Sequence, residues 1–74
     1  MRYRYIRMEE MYKKGKTSVY GVYSNSSGTY LGTIEWYNHW RQYCFMPTID
    51  TVFSVDCMED INSFIRGLKE ALDV

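Results

Sequence analysis

Long apolar runs are missing from this sequence, and none approaches the ~18–20 residues that a membrane-spanning helix requires. Proline occurs once, at Pro47, and histidine once, at His39. Cysteine occurs twice, as Cys44 and Cys57, too few for the disulfide framework of a small secreted domain, so both are expected as free thiols. Net charge is absent too. Nine Lys and Arg balance nine Asp and Glu, which excludes a wholly basic nucleic-acid coat and an acidic tail. No Gly-rich phosphate loop is present, because Ser26-Ser27-Gly28 reads as a hairpin turn and does not open a helix. The opening MRYRYIRMEE has the charge of a signal peptide without its apolar core, so a cytoplasmic setting is expected.

What is there is a short chain rich in large side chains. Its 74 residues are 46% hydrophobic and 18% aromatic, enough to bury a core and too apolar for disorder. One domain over residues 1–74 is expected. A core of this size contributes ~3–5 kcal/mol net at most, so a homodimer or a foreign partner is a natural expectation.

The zero net charge conceals a polarity. Residues 1–16 carry Arg2, Arg4, Arg7, Lys13, Lys14 and Lys16 against Glu9 and Glu10. Residues 47–74 carry Arg66 and Lys69 against Asp50, Asp56, Glu59, Asp60, Glu70 and Asp73. Either the two ends attract one another, within the fold or between subunits, or the basic segment faces a polyanion.

Hydrophobic periodicity predicts strands first and a helix last. Residues 2–8 alternate polar and apolar as an extended segment, which Glu9 to Lys14 either continue or interrupt with a helical turn. Lys14-Gly15-Lys16 is a turn signal. Thr17–Tyr23 is β-branched and aromatic, with Gly21 marking a bulge or a close backbone approach. A loop at residues 24–28 precedes a strand over Thr29–Tyr37, and a further strand covers Gln42–Met46, ended by Pro47. Thr51–Ser54 reads as a short edge strand. Asp56 is the expected N-cap of a helix over 56–72, with Glu59 completing a capping box. Met58, Ile61, Phe64, Ile65, Leu68 and Leu72 follow as one apolar stripe, interrupted in sequence by Gly67. The expected fold is therefore α+β: a basic segment at 1–16, an antiparallel sheet of three to five strands over 17–54, and one C-terminal helix packed on one face.

The run LGTIEWYNHWRQYCFMP, Leu31 to Pro47, carries Leu31-Gly32, Ile34-Glu35-Trp36-Tyr37, Trp40-Arg41-Gln42-Tyr43 and Phe45-Met46-Pro47. It resembles the LGxIxW[YF]xxWRxYxFxP signature of a family of small uncharacterised bacterial and phage or mobile-element proteins. Asn25-Ser26-Ser27-Gly28 upstream and Val52-Phe53-Ser54 downstream also fit, so the resemblance spans about Thr17 to Leu72. It implies the fold and a cytoplasmic setting. It implies no activity and no catalytic residue.

The candidate binding residues are Trp36, Tyr37, Trp40, Arg41 and Tyr43, crowded around one hairpin. Exposed Trp, Tyr and Arg are what binding hot spots use, whereas buried ones would be core of a small domain. Alternation leaves open which of Trp36 and Trp40 is buried. As a set they point to function, because eight tyrosines, two tryptophans and three phenylalanines exceed what one sheet face and one helix stripe can cover. His39, Cys44 and Cys57 lack a fourth zinc ligand, and a Cys57–His39 dyad lacks an orienting or oxyanion group. No enzyme, metal or small-molecule cofactor is expected.

Two functional classes follow. The first is an interaction module binding a protein partner, or itself, through the aromatic sheet and hairpin. The alternative is a nucleic-acid-binding domain using Arg2, Arg4, Arg7, Lys13, Lys14 and Lys16 with the Trp/Arg hairpin. AP2-type and integrase arm-binding DNA domains also pair a three-stranded sheet with a helix, although the central strands here carry almost no positive charge.

Overall fold

The computed structural model describes residues 3–72. Four strands, β1 (Ile6–Lys14), β2 (Thr17–Ser24), β3 (Tyr30–Tyr37) and β4 (Gln42–Pro47), precede one helix, α1 (Val55–Leu72). The strands pair in chain order as an antiparallel meander. Each connection is short, so each strand lies beside the one before it. β1 continues through Glu9–Lys14 with a bulge and no helical turn, so residues 6–14 of the basic N-terminal segment belong to the sheet.

The core lies between one sheet face and the helix. Ile6 and Met8 of β1, Val22 of β2, Ile34 of β3 and Tyr43 of β4 meet Ile61 and Phe64 of α1. Two ring pairs orient the helix. Phe53, just before α1, stands edge-on to Phe45 at 5.2 Å, and Phe64 stands edge-on to Tyr20 at 5.0 Å. Such pairs contribute ~0.5–1.5 kcal/mol beyond their buried area. They set α1 antiparallel to β4, its first turns beside Phe45 and its later turns toward the β3–β4 hairpin.

Four local expectations need correction. Thr51–Ser54 forms no strand and instead crosses from the sheet to the helix, so the sheet ends at Pro47 and has four strands. Ser54, not Asp56, caps the helix: its Oγ accepts the Cys57 N–H at 3.2 Å and its carbonyl accepts the Met58 N–H at 3.0 Å. Met58 points out of the stripe and is 51% exposed. Residues before Ile6 do not extend the strand, because the Tyr3 N–H bonds back to the Ile6 carbonyl and the Asn25 amide donates to the Tyr3, Arg4 and Ile6 carbonyls.

Glycine matters at two points in the sheet. At Gly21 an added Cβ would lie 2.9 Å from the Tyr23 ring and 3.1 Å from the Met11 sulfur. The close approach thus sits on β2, while the bulge sits opposite, at Met11 of β1, between the Glu10–Tyr20 and Tyr12–Val19 pairs. Gly32 has φ +149°, and a Cβ there would collide with the Met46 carbonyl and with Pro47. Gly32→Ala is expected to cost about 2–4 kcal/mol. Gly67, in the helix with open space around it, is expected to gain about 0.5–1 kcal/mol as Gly67→Ala. Urea unfolding midpoints of the two variants would move in opposite directions; a Gly32→Ala protein as stable as wild type would contradict the close β3–β4 approach.

Candidate binding site

The β3–β4 hairpin is wound by two backbone bonds, Trp40 N–H to Tyr37 O and Arg41 N–H to Asn38 O, both 3.2 Å. The four-residue loop closes through Arg41, whose φ of +53° lies in the left-handed region where Gly or Asn costs less. Below it, Trp36 pairs with Tyr43 across the two strands. The Trp36 indole N–H donates to the Asn38 side-chain oxygen at 2.9 Å, which ties the loop back to β3.

The hairpin and the later turns of α1 enclose an open groove of about 260 Å³. Trp36 and Trp40 supply aromatic walls, Tyr43 and Ile65 an apolar floor, and Arg41 and Lys69 two cations at the rim. Among the described residues, neither cation makes an ion pair and no carboxylate lines the groove. This concavity can take an apolar side chain and, beside it, a negative charge.

The hairpin set divides. Trp40 is 66% exposed and Trp36 is half-buried, its ring edge-on to Tyr43 at 5.6 Å. Tyr43 is 8% exposed and belongs to the core, so it is not a free binding residue. Its pairing with Trp36 puts it on the helix side. Burial holds its phenol protonated to higher pH than usual; the Ser18 backbone opposes that shift, and Tyr20 adds to it. Tyr37 lies on the other sheet face, stacked on His39 at 5.2 Å and edge-on to Trp40 at 5.1 Å, so it braces the tip from outside the groove. Ile65 and Lys69 are groove residues that sequence reasoning missed. Their four-residue spacing places them on one helix face, but nothing in the sequence placed that face against the hairpin.

The basic residues of the N-terminal segment do not form one patch. Arg2 lies outside the described residues. Arg4 stacks over Tyr5 at 5.2 Å. Arg7 stacks over Tyr23 at 4.9 Å and meets Glu9 at 2.7 Å. Lys13 lies 4.0 Å from Glu10, and Lys14 lies 3.5 Å from Glu35. Lys14 and Lys16 border a second open recess, which Thr17, Trp36 and Asn38 also line.

His39, Cys44 and Cys57 are not brought together: His39 is in the hairpin and Cys57 in the first turns of α1, at the opposite end of β4. Among the described residues no three His, Cys, Asp or Glu side chains form a metal-holding group, and no helix is long and apolar enough to cross a membrane. Comparison with known proteins adds nothing to the geometry: no family model, no curated protein and no solved structure matches the chain.

An exposed Trp40 sets a clear expectation. Trp40→Ala should leave the unfolding free energy within about 0.5 kcal/mol of wild type. Loss of a core tryptophan would instead cost ~3–5 kcal/mol, most of this domain's stability. Thermal unfolding followed by circular dichroism distinguishes the two, and a Trp40→Ala chain that no longer folds would move the residue into the core.

Proposed function

We propose that this chain is a non-catalytic interaction module whose hairpin–helix groove grips an apolar, acidic segment of a polypeptide. The observation that carries this reading is Trp40, a mostly exposed tryptophan held over a concave apolar surface beside Arg41 and Lys69, cations with no ion pair among the described residues. Trp and Arg are the residues on which interface energy concentrates. Arg41 is also held in a strained backbone conformation at the hairpin tip, which supports a role beyond turn formation. The two free cysteines fit a reducing, cytoplasmic setting. The nucleic-acid reading has less support, because Arg7, Lys13 and Lys14 each lie beside a carboxylate that offsets their charge toward a phosphate.

A selection of random peptides displayed on phage against the immobilised chain tests this reading. Enriched peptides are expected to combine an aromatic or aliphatic residue with neighbouring Asp or Glu, and to be lost on the Trp40→Ala/Arg41→Ala double variant. Enrichment of basic peptides, or equal capture by the double variant, would contradict it. Tight binding of a duplex or single-stranded oligonucleotide, weakening steeply with salt, would favour the nucleic-acid alternative instead.

A further inference from the structure

We infer that the groove's occupant is a second copy of this chain, joined edge to edge through β4 in a two-fold dimer. In that dimer the segment Ile49–Met58 of each copy covers the groove of the other. This rests on the groove reading above and names the partner. Three features of the surface converge on it.

The first is the contrast between the sheet's two open edges. β1 is guarded against pairing: it carries Glu9, Glu10, Lys13 and Lys14 and is kinked by the bulge at Met11. β4 is less guarded, its one such device being Pro47 at the strand's end, which lacks a main-chain donor. Gln42–Pro47 contains no charged residue, and its register with β3 is unbroken. An edge of this kind presents a row of main-chain donors and acceptors ready to pair with another strand.

The second is a run of aliphatic side chains left in solvent where β4 leads into α1. Ile49 is 89% exposed, Val52 92% and Val55 65%, with the exposed Met58 one turn further along the helix. Large apolar side chains clustered within ten residues at such exposure mark an interaction surface.

The third is the distribution of charge along β4. At the hairpin end Arg41 and Lys69 line the groove, with Glu70 of the same helix turn outside its lining; at the end where the helix begins stand Asp50, Asp56 and Glu59. Antiparallel pairing of β4 with its symmetry mate reverses one copy against the other. The aromatic, cationic end of each then faces the aliphatic, acidic end of its partner. Each copy contributes both halves of the contact, so the interface is self-complementary and closes at two subunits. A head-to-tail contact between the same surfaces would leave the β4 edges unpaired. A standard interface of about 800 Å² per partner is a modest share of the chain's 5436 Å² of accessible surface.

The test uses the full chain and exchanges charge between the two halves. Sedimentation equilibrium of the wild type up to about 0.5 mM, the regime of weak association, should show a reversible monomer–dimer equilibrium. A groove variant (Arg41→Glu/Lys69→Glu) and a segment variant (Asp56→Lys/Glu59→Lys) should each weaken it by tenfold or more on its own. Mixed in equal amounts, they should form a heterodimer, since both contacts again pair opposite charges. Val52→Ser, which alters no charge and leaves the helix cap intact, should weaken the wild-type dimer as well, and circular dichroism checks that every variant is folded. A wild type that stays monomeric throughout, a mixture that stays monomeric, or a dimer indifferent to all three variants would each overturn the inference. If the chain is monomeric while the displayed peptides still bind through Trp40 and Arg41, the groove serves a foreign protein and only the self-association fails. If neither is observed, the groove reading fails too.

Discussion

One helix has to cover one face of a four-stranded sheet, and the way it is pinned determines what the rest of the surface looks like. The Phe53–Phe45 contact anchors the helix start over β4, and the Phe64–Tyr20 contact holds its middle over β2. Asp60 adds a tether by accepting the Tyr5 N–H at 3.2 Å. With the helix held this way, its later turns reach the hairpin only far enough to make a groove. Trp36 and Tyr43 are drawn into the core's margin, whereas Trp40 and Arg41 stay outside. The same docking carries Phe53 onto the core and leaves Ile49 and Val52 of the connection in solvent.

Charge follows the same geometry. The ion pairs among the described residues, Arg7–Glu9, Lys13–Glu10 and Lys14–Glu35, all lie within the sheet. None of them uses a helix carboxylate. The basic and acidic segments therefore do not neutralise each other inside the fold through these pairs, and the groove lining keeps its two cations, Arg41 and Lys69, while Asp50, Asp56 and Glu59 stand where the helix begins. Exposed pairs contribute only ~0–1 kcal/mol, so this arrangement does little for stability. Its larger consequence is for orientation on encounter with a partner.

The architecture was legible because its signals are periodic. Ile61, Phe64, Ile65 and Leu68 recur at helical spacing, and the β2 and β3 segments are β-branched and aromatic between turn residues. Local competition misled at the helix start: Ser54 and Asp56 are both good caps, and only the position of Phe53 against Phe45 decides for Ser54. Thr51–Ser54 has strand-like composition but no neighbouring strand to bond. The site was half legible. Trp40 and Arg41 stand out by type, yet Tyr43 is core because of its pairing with Trp36 across a loop whose register sequence does not reveal. Ile65 and Lys69 join the site through tertiary docking alone.

In the proposed dimer the surface that a partner completes runs along β4, from the hairpin groove to the exposed aliphatic segment, and not along β1 or the open sheet face. Amide hydrogen exchange resolved residue by residue, at low and at high protein concentration, tests this most directly. Amides of Gln42–Met46 and of the 49–58 segment should become more protected as concentration rises, with those of β1 unchanged. Concentration-dependent protection confined to β1, or to the sheet face carrying Tyr23 and Tyr30, would contradict it.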